Sequence, residues 1–177
     1  SGNIISETRT VAEFKEVNAS GEFNVSINFG GTQELIIEAD HNAIEHIKTD
    51  VNGSSLNIYM ADGEYVQVTR NIKITLPDLQ RADQSGSVTT SVSGFSNLDN
   101  LVLTNSGSSV MTCEGSCNDL EISNSGSGII NCFDLSSINC SVSISGSSQS
   151  NVRVSNNLSG STSGSSILSY KGQPSVS

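Results

Sequence analysis

Carboxylate side chains recur in the middle of the sequence, and hydrolysis of a glycosidic bond needs two of them, roughly 5–9 Å apart. Those between residues 80 and 140 are Asp83, Asp99, Glu114, Asp119, Glu121 and Asp134. Relative to a repeated Ser-Gly-Ser triplet, only Asp99 and Asp119 stand nearly in line, seven and six residues before their triplets. Arg153 has no evident partner among them. We therefore interpret these residues as solvated surface groups and predict no catalytic residue.

The two histidines, His41 and His46, lie beside Asp40 and Glu45 and could in principle bind a metal ion. Residues five apart do not share one face of a helix, however. The glycines occur in Ser-Gly-Ser triplets rather than in a phosphate-binding or dinucleotide-binding loop. The sequence therefore predicts no metal site and no cofactor.

Four cysteines offer three kinds of chemistry: disulfides, metal ligation or simple burial. They are Cys113, Cys117, Cys132 and Cys140, and none forms the Cys-x-x-Cys spacing of a zinc site. Cys113 and Cys132 occupy equivalent repeat positions, within the Cα range of a disulfide, but stacked side chains make the torsion awkward. We predict buried free thiols, with Cys113 and Cys132 as structural residues, and keep the disulfide as the alternative.

The Ser-Gly-Ser triplet occurs five times, with spacings of 21, 19, 20 and 18 residues. A period near 20 is typical of a solenoid in which each repeat forms one coil. Glycine suits a corner between strands because it accepts positive φ. We predict that one corner of the stack aligns the five glycines Gly86, Gly107, Gly126, Gly146 and Gly164.

Apolar residues keep fixed positions relative to the triplets, as stacked half-buried strands require. Seven residues after the first Ser lie Val92, Cys113, Cys132, Val152 and Tyr170. Five residues before it lie Leu101, Leu120, Cys140 and Leu158. Three residues before it lie Ala82, Leu103, Ile122, Val142 and Gly160. Four residues after it lie Val110, Ile129 and Ile167, with Gln149 as an exception. These four columns predict a parallel ladder with an aliphatic interior.

The chain before the triplets is β-rich but irregular. Residues 3 to 10 are predicted to be a polar lead-in, and strands at 22–29 and 35–39 to form a hairpin around Gly30-Gly31. Residues 40 to 48 are predicted to form a short helix with Asp40 as its N-cap. Further strands are expected at 56–60, at Tyr65, Val66 and Val68, and at 72–76. We predict a single domain over 1–177, with an N-terminal part at 1–80 and coil repeats at 81–174.

The net charge is −10, and no basic stripe interrupts it. Binding of nucleic acid or of an anionic lipid surface is therefore not expected. No apolar stretch approaches the length of a membrane-spanning helix, so we predict no membrane insertion of this region. Ser1-Gly2 is typical of a cleaved tag, so we expect a mature region whose leader is left out.

Five stretches, taken in order, resemble one known family. They are Arg9-Thr-Val-Ala-Glu-Phe14, Gly21-Glu-Phe-Asn-Val25, Leu35-Ile-Ile-Glu-Ala-Asp40, Ile72-Lys-Ile-Thr-Leu-Pro77 and Tyr170-Lys-Gly172-Gln-Pro174. With the serial triplets between the last two, the chain resembles the head GIN domain family of putative autotransporter adhesins, a bacterial family of unknown function. The resemblance runs from about residue 8 to residue 174.

The resemblance implies a right-handed parallel β-helix-like solenoid, exported to the periplasm, outer membrane or cell surface, often as a lipoprotein of Bacteroidetes-like bacteria. It supplies no catalytic residues. The function predicted is a non-enzymatic, adhesin-like module that binds glycan or surface protein, with other copies of the chain as further candidate partners. The alternatives are a pectinase-like, polysaccharide-degrading β-helix enzyme and a structural subunit of an envelope complex.

Overall fold

The structure is a computed structural model that describes residues 2–63 and 68–177. Over these residues the chain is all-β, with a 3-10 turn at Ile44–His46 and no α-helix. The strands are β1 (Ile4–Thr8), β2 (Glu16–Gly21), β3 (Asn24–Phe29), β4 (Glu34–Asp40), β5 (Ile47–Asn52), β6 (Ser55–Met60), β7 (Arg70–Leu76), β8 (Arg81–Gly86), β9 (Thr89–Asn105), β10 (Val110–Asn124), β11 (Ile129–Ile144), β12 (Gln149–Thr162), β13 (Ile167–Lys171) and β14 (Ser175–Val176).

The strands form one mixed sheet that curls into a half-barrel and contains two ladders. The first ladder runs through β1, β4, β7, β3, the first halves of β9 to β12, and β13. The second runs through β5, β6, β2, β8, the second halves of β9 to β12, and β14. The pairs β1–β4, β4–β7 and β5–β6 are antiparallel, and the other described pairs are parallel.

The long strands serve both ladders because each bends near its middle. In β10 the register with β9 shifts between Cys113 and Gly115 and again between Gly115 and Cys117. Gly115 has φ +128°, and a Cβ there would collide with the carbonyl oxygen of Phe95. Glycine is therefore required where β10 turns from one ladder to the other.

Three of the four predicted apolar columns line the interior. The columns that contain Cys113, Leu120 and Ile122 are buried in β9 to β12, apart from Gly160. They join one hydrophobic cluster that extends from Phe14 to Leu158, so the N-terminal strands and the repeats share it.

The prediction for the fourth column is wrong, because Val110, Ile129 and Ile167 are 37%, 38% and 56% exposed. Side chains alternate along a strand, so a position three residues from a buried column must point outward. The buried column lies one residue later and contains Met111 and Ile130.

Two expectations for the N-terminal part are also wrong. The predicted polar lead-in contains β1, which pairs with β4. The predicted hairpin does not form, because β7 lies between β3 and β4, parallel to β3 and antiparallel to β4. A strand from about forty residues later in the chain thus takes the place of the local partner.

The predicted helix at 40–48 is replaced by the end of β4, the 3-10 turn and the start of β5. Asp40 does not cap a helix; its carboxylate accepts a hydrogen bond of 2.7 Å from the backbone N–H of Thr69. Ile44 and Ile47 are buried, but Ile47 is buried as the first residue of β5. Two short segments, held by different neighbours, therefore produce the apolar spacing that suggested a helix.

The strands predicted at 22–29, 35–39, 56–60 and 72–76 are confirmed as β3, β4, β6 and β7 within one or two residues. Of the residues predicted to continue the strand pattern, Tyr65 and Val66 lie outside the described residues. The prediction for Val68 is wrong, because Val68 precedes β7, which begins at Arg70.

Candidate functional site

The Ser-Gly-Ser triplets form a corner at which the second half of one long strand leads to the first half of the next. Here the five triplet glycines lie one above another with φ between +69° and +88°. The backbone N–H of Ser108 donates a hydrogen bond of 2.9 Å to the carbonyl of Gly86, and that of Ser127 donates one of 2.9 Å to the carbonyl of Gly107. Gly21, which sequence analysis missed, continues the stack below Gly86 by accepting from Ser87.

Backbone contact explains why this corner uses glycine. A Cβ added to Gly107 would lie 2.7 Å from the carbonyl oxygen of Gly86, and one on Gly126 would lie 2.6 Å from that of Gly107. The corner therefore presents backbone and serine hydroxyls and has a structural role.

A buried ladder of amides lies just inside this corner. Asn105 and Asn124 each stand one residue before a triplet, and Asn105 Nδ2 donates a hydrogen bond of 2.8 Å to Asn124 Oδ1. Gln84 extends the ladder by donating 3.2 Å to Asn105 Oδ1, and Thr90 donates 2.7 Å to Gln84 Oε1. Asn124 Nδ2 in turn donates to Ser150 Oγ and to the carbonyl of Gln149. We call Gln84, Asn105 and Asn124 the inner ladder.

All four cysteines are buried free thiols. Cys113 and Cys132 are hydrogen-bonded through their side chains, and this bond together with burial raises the pKa of Cys132. Burial raises the pKa of Cys117 and of Cys140 to about 12. Thiols in this state are poor nucleophiles, so the cluster packs the core rather than performing chemistry.

Of the candidate carboxylates, Glu114 and Asp134 are in register on β10 and β11, whereas Asp99 and Asp119 are not in register. Asp119 aligns with Asn100 and Asn139 in the neighbouring strands, not with Asp99, which stands one residue earlier. Its Oδ1 accepts 2.9 Å from Asn139 Nδ2. Asp83 is bound by Arg81 at 2.7 Å. The near alignment of Asp99 with Asp119 therefore brings an amide, not a second carboxylate, opposite Asp119.

The column that contains Asp119 is a regular set of polar side chains on the outer surface. It consists of Asn100, Asp119, Asn139 and Asn157, one from each of β9 to β12, and Asn139 Oδ1 also accepts from Asn157 at 3.1 Å. Each residue stands six positions before a triplet. That spacing is the signal by which sequence analysis could have found the column. We call these four residues the outer column.

A groove runs over the outer column on the outside of the second ladder. Its volume is about 600 Å³, and Glu121, Ser141 and Ser159 line it beside the column. Glu121 is in register with Val102 and Ser141 in the ladder. The groove therefore offers hydrogen-bond donors and acceptors that repeat at the strand spacing of about 4.8 Å.

Arg81 lies beside the groove, in a neighbouring pocket that shares Asn100 and Val102 with it. The hydrogen bond to Asp83, supported by the charges of Asp83, Glu16 and Glu121, raises the pKa of Arg81. Three carboxylates thus act on one guanidinium beside the groove, and Asp83 is the one that binds it directly.

In residues 2–63 and 68–177, no three His, Cys, Asp or Glu side chains are grouped so that they could hold a metal ion. His46 Nε2 lies 3.4 Å from Glu45 Oε1, and the backbone N–H of His41 donates to the carbonyl of Asn3. Within the same ranges, no helix has the length and apolar character that crossing a membrane requires.

The comparisons with known proteins agree on the fold. A "putative adhesin" from Bacteroides fragilis is similar with a TM-score of 0.74 and 17% identity, over 99% of this chain and 97% of that one. A second putative adhesin, from Parabacteroides merdae, is similar with a TM-score of 0.65 and 18% identity, over 99% of this chain and 92% of that one. A "putative lipid binding protein" from Parabacteroides distasonis is similar with a TM-score of 0.59 and 17% identity, over 99% of this chain and 92% of that one. No curated protein matches the chain significantly.

The family model described as "Putative auto-transporter adhesin, head GIN domain" matches residues 13–174. This range is most of the chain, and the chain belongs to that family.

Proposed function

We propose that this member of the head GIN domain family is a non-enzymatic, exported cell-envelope domain that binds glycan or protein along the outer column. The observation that carries the proposal is the column itself: three amides and a carboxylate in register on four consecutive strands. A repeated array of this kind suits a ligand that also repeats, because each strand can offer the same contact to successive units.

The chemistry of the groove favours neutral or cationic ligands. Asn100, Asn139 and Asn157 supply both donors and acceptors, whereas Asp119 and Glu121 supply acceptors only. The net charge of −10 opposes nucleic acid and other polyanions. Hydroxyl-rich glycans and basic or neutral protein segments fit this pattern.

A binding role is favoured over catalysis by how the polar groups are used. Asp119 is bound to Asn139 and Asp83 to Arg81, so neither faces a second carboxylate across a space for a scissile bond. The described thiols are buried, with raised pKa for Cys117, Cys132 and Cys140. We therefore infer that the domain recognises its ligand without altering it.

We also infer that residues 81–174 wind as a right-handed parallel β-solenoid with coils of about 20 residues. The stacked glycines at one corner and the parallel pairing of β9, β10, β11 and β12 in both halves support this winding. Right-handed crossovers are the rule for parallel strands. A crystal structure with left-handed connections through the triplets would contradict it.

Family membership suggests an exported protein, and we propose the periplasm, outer membrane or cell surface as its place. A lipid anchor on the mature protein is part of this proposal. Labelled palmitate incorporated into the full-length gene product in a bacterial host would support the anchor, and an unmodified secreted product would contradict it.

The binding proposal is tested with an immobilised panel of bacterial, plant and host polysaccharides and of proteins. Lipid vesicles complete the panel because of the similarity to the Parabacteroides distasonis protein. We expect a ligand whose affinity falls about tenfold in Asn139→Ala, the equivalent of one hydrogen bond of about 1.4 kcal/mol. The matched control is Asn24→Ala, which removes an exposed amide paired with Asn71 on the first ladder. Equal losses in both variants would contradict a site on the outer column.

The same panel distinguishes the enzymatic alternative. New reducing or unsaturated ends that form in the presence of the domain and disappear in Asp119→Asn would favour a polysaccharide-degrading enzyme. We expect binding without any such product.

A further inference from the structure

The two ends of the stacked sheet differ in how they are covered. At one end, β1 and β5 are the edge strands, each paired antiparallel to its neighbour. Behind them the turn at Ile44–His46 packs with Ile44 buried at 5% exposure. At the other end, β13 and β14 pair only with β12 among the described strands. We call this second end, formed by residues 163–177, the open end.

The interior columns reach the open end and remain exposed there. Val176 is in register with Leu158, and Tyr170 with Val152, so both stand in columns that are buried in every preceding repeat. Yet Val176 is 56% exposed and Tyr170 is 49% exposed. Leu168 is only partly buried, although it packs against the core. Among the described residues, these apolar side chains are thus only partly covered, beside two edge strands that pair with β12 alone.

Charge is distributed in a way that lets another acidic molecule approach at this end. Every Asp and Glu of the chain lies within residues 1–134. The remaining residues carry two basic side chains, Arg153 and Lys171, and Lys171 Nζ lies 4.3 Å from the centre of the Phe133 ring. Two copies of a chain with a net charge of −10 repel each other elsewhere, but here neither presents a carboxylate side chain.

We propose that the open end is a self-association surface, at which two copies of the chain pair tail to tail. A twofold arrangement places Leu168, Tyr170 and Val176 of one copy against the same surface of the other. It also pairs the exposed edges of β13 and β14 with the edges of the second copy. The apolar columns and the edge groups then lose their contact with water in a single closed interface.

A second copy fits better than the covered end of the same fold would. A contact between two open ends joins two surfaces that both expose core residues. A contact between an open end and the opposite end of a second copy would instead involve a surface where the turn at Ile44–His46 already packs. A tail-to-head contact would also extend into filaments instead of closing. We therefore infer a dimer that carries two copies of the outer column.

Sedimentation velocity over a concentration series tests the proposal. We expect a monomer–dimer equilibrium, with a dissociation constant at least tenfold higher in Val176→Asp and in Tyr170→Asp. The matched control is Ile4→Asp at the opposite end, because Ile4 is 54% exposed. That variant should dimerise as the wild type does. Monomer at all concentrations, or a dimer lost only in Ile4→Asp, would overturn the proposal.

Spin labels give a second measurement that does not depend on how the charged variants fold. The native thiols are buried, so a label reacts with an introduced surface cysteine only. Gln173→Cys should give a short distance between labels of two copies, and Ser6→Cys should give none within range. The reverse pattern would overturn tail-to-tail pairing.

Discussion

Two series of polar side chains, most of them amides, run across neighbouring strands, one inside the sheet and one outside, and both pass through β9 and β10. The inner ladder connects Gln84, Asn105 and Asn124, each at most 2% exposed. The outer column connects Asp119, Asn139 and Asn157 through bonds of 2.9 Å and 3.1 Å on the water side. The residue types and bond lengths are alike, so the difference lies in burial.

Burial decides what each series contributes. Inside, an amide that loses its partner keeps the full cost of desolvation, so every member must be satisfied. Outside, water replaces a lost partner, and the same bond stabilises the fold little. The inner ladder therefore specifies the fold, whereas the outer column can exchange its own bonds for bonds to a ligand.

The largest expected effect comes from Asn124→Ala. The Asn124 side chain accepts from Asn105 and donates to the carbonyls of Gln149 and Gly128, at 2.8 Å and 3.3 Å. Its loss leaves several buried groups without a partner, so we expect unfolding to become easier by about 3 kcal/mol. Thermal unfolding should shift down by roughly 10 °C.

A double-mutant cycle with Asn105→Ala sharpens this expectation. If the two amides act as one network, their effects should be non-additive by about 1 kcal/mol or more. Additive effects, or an Asn124→Ala variant as stable as the wild type, would show that water satisfies the interior and that burial is not what separates the two series.

The fold of the repeats was largely predictable because each coil repeats the same local requirements. The repeated glycines, such as Gly107 and Gly126, predict a corner, and the apolar columns of Leu120 and Ile122 predict the interior. The error at Val110 and Ile129 arose because apolar residues occupy both faces of the strand just after the corner. Thr90 and Ser150 meanwhile give the true inner column a polar appearance.

The N-terminal part was harder because its neighbours are distant in sequence. Nothing local to β3 and β4 indicates that β7 separates them. The candidate site shows the opposite case, since Asn100, Asp119 and Asn139 share one spacing from the triplets. The outer column matches no catalytic or metal-binding pattern, so those patterns do not identify its array of amides.

The buried thiols give a smaller, pH-dependent contrast between inside and outside. Burial, then the neighbouring Cys113 and Asp119, raises the pKa of Cys117 to about 12, and burial raises that of Cys140 to about 12. In the unfolded chain these thiols ionise near pH 9. Their contribution to stability is therefore complete below about pH 9 and is lost progressively as the pH rises toward 12.

Urea unfolding between pH 8 and pH 11 measures this loss. Stability should fall with rising pH in the wild type, and the fall should be shallower in Cys140→Ala, since that variant has one fewer thiol to ionise on unfolding. Other groups titrate in this range, so the comparison is between the slopes of the two proteins. Identical slopes would contradict a raised pKa in the folded state.

The smallest expected effect on stability belongs to Asn139→Ala, although this residue contacts both of its neighbours in the outer column. The bonds of Asn139 to Asp119 and Asn157 are exposed, so water replaces them and the free energy of unfolding should change by no more than about 0.5 kcal/mol. Urea unfolding beside Asn124→Ala compares one outer with one inner amide. A loss of about 2 kcal/mol or more would mean that the outer column also holds the coils together. Asn139 would then be a structural residue, and a weaker affinity in Asn139→Ala would no longer locate the ligand there.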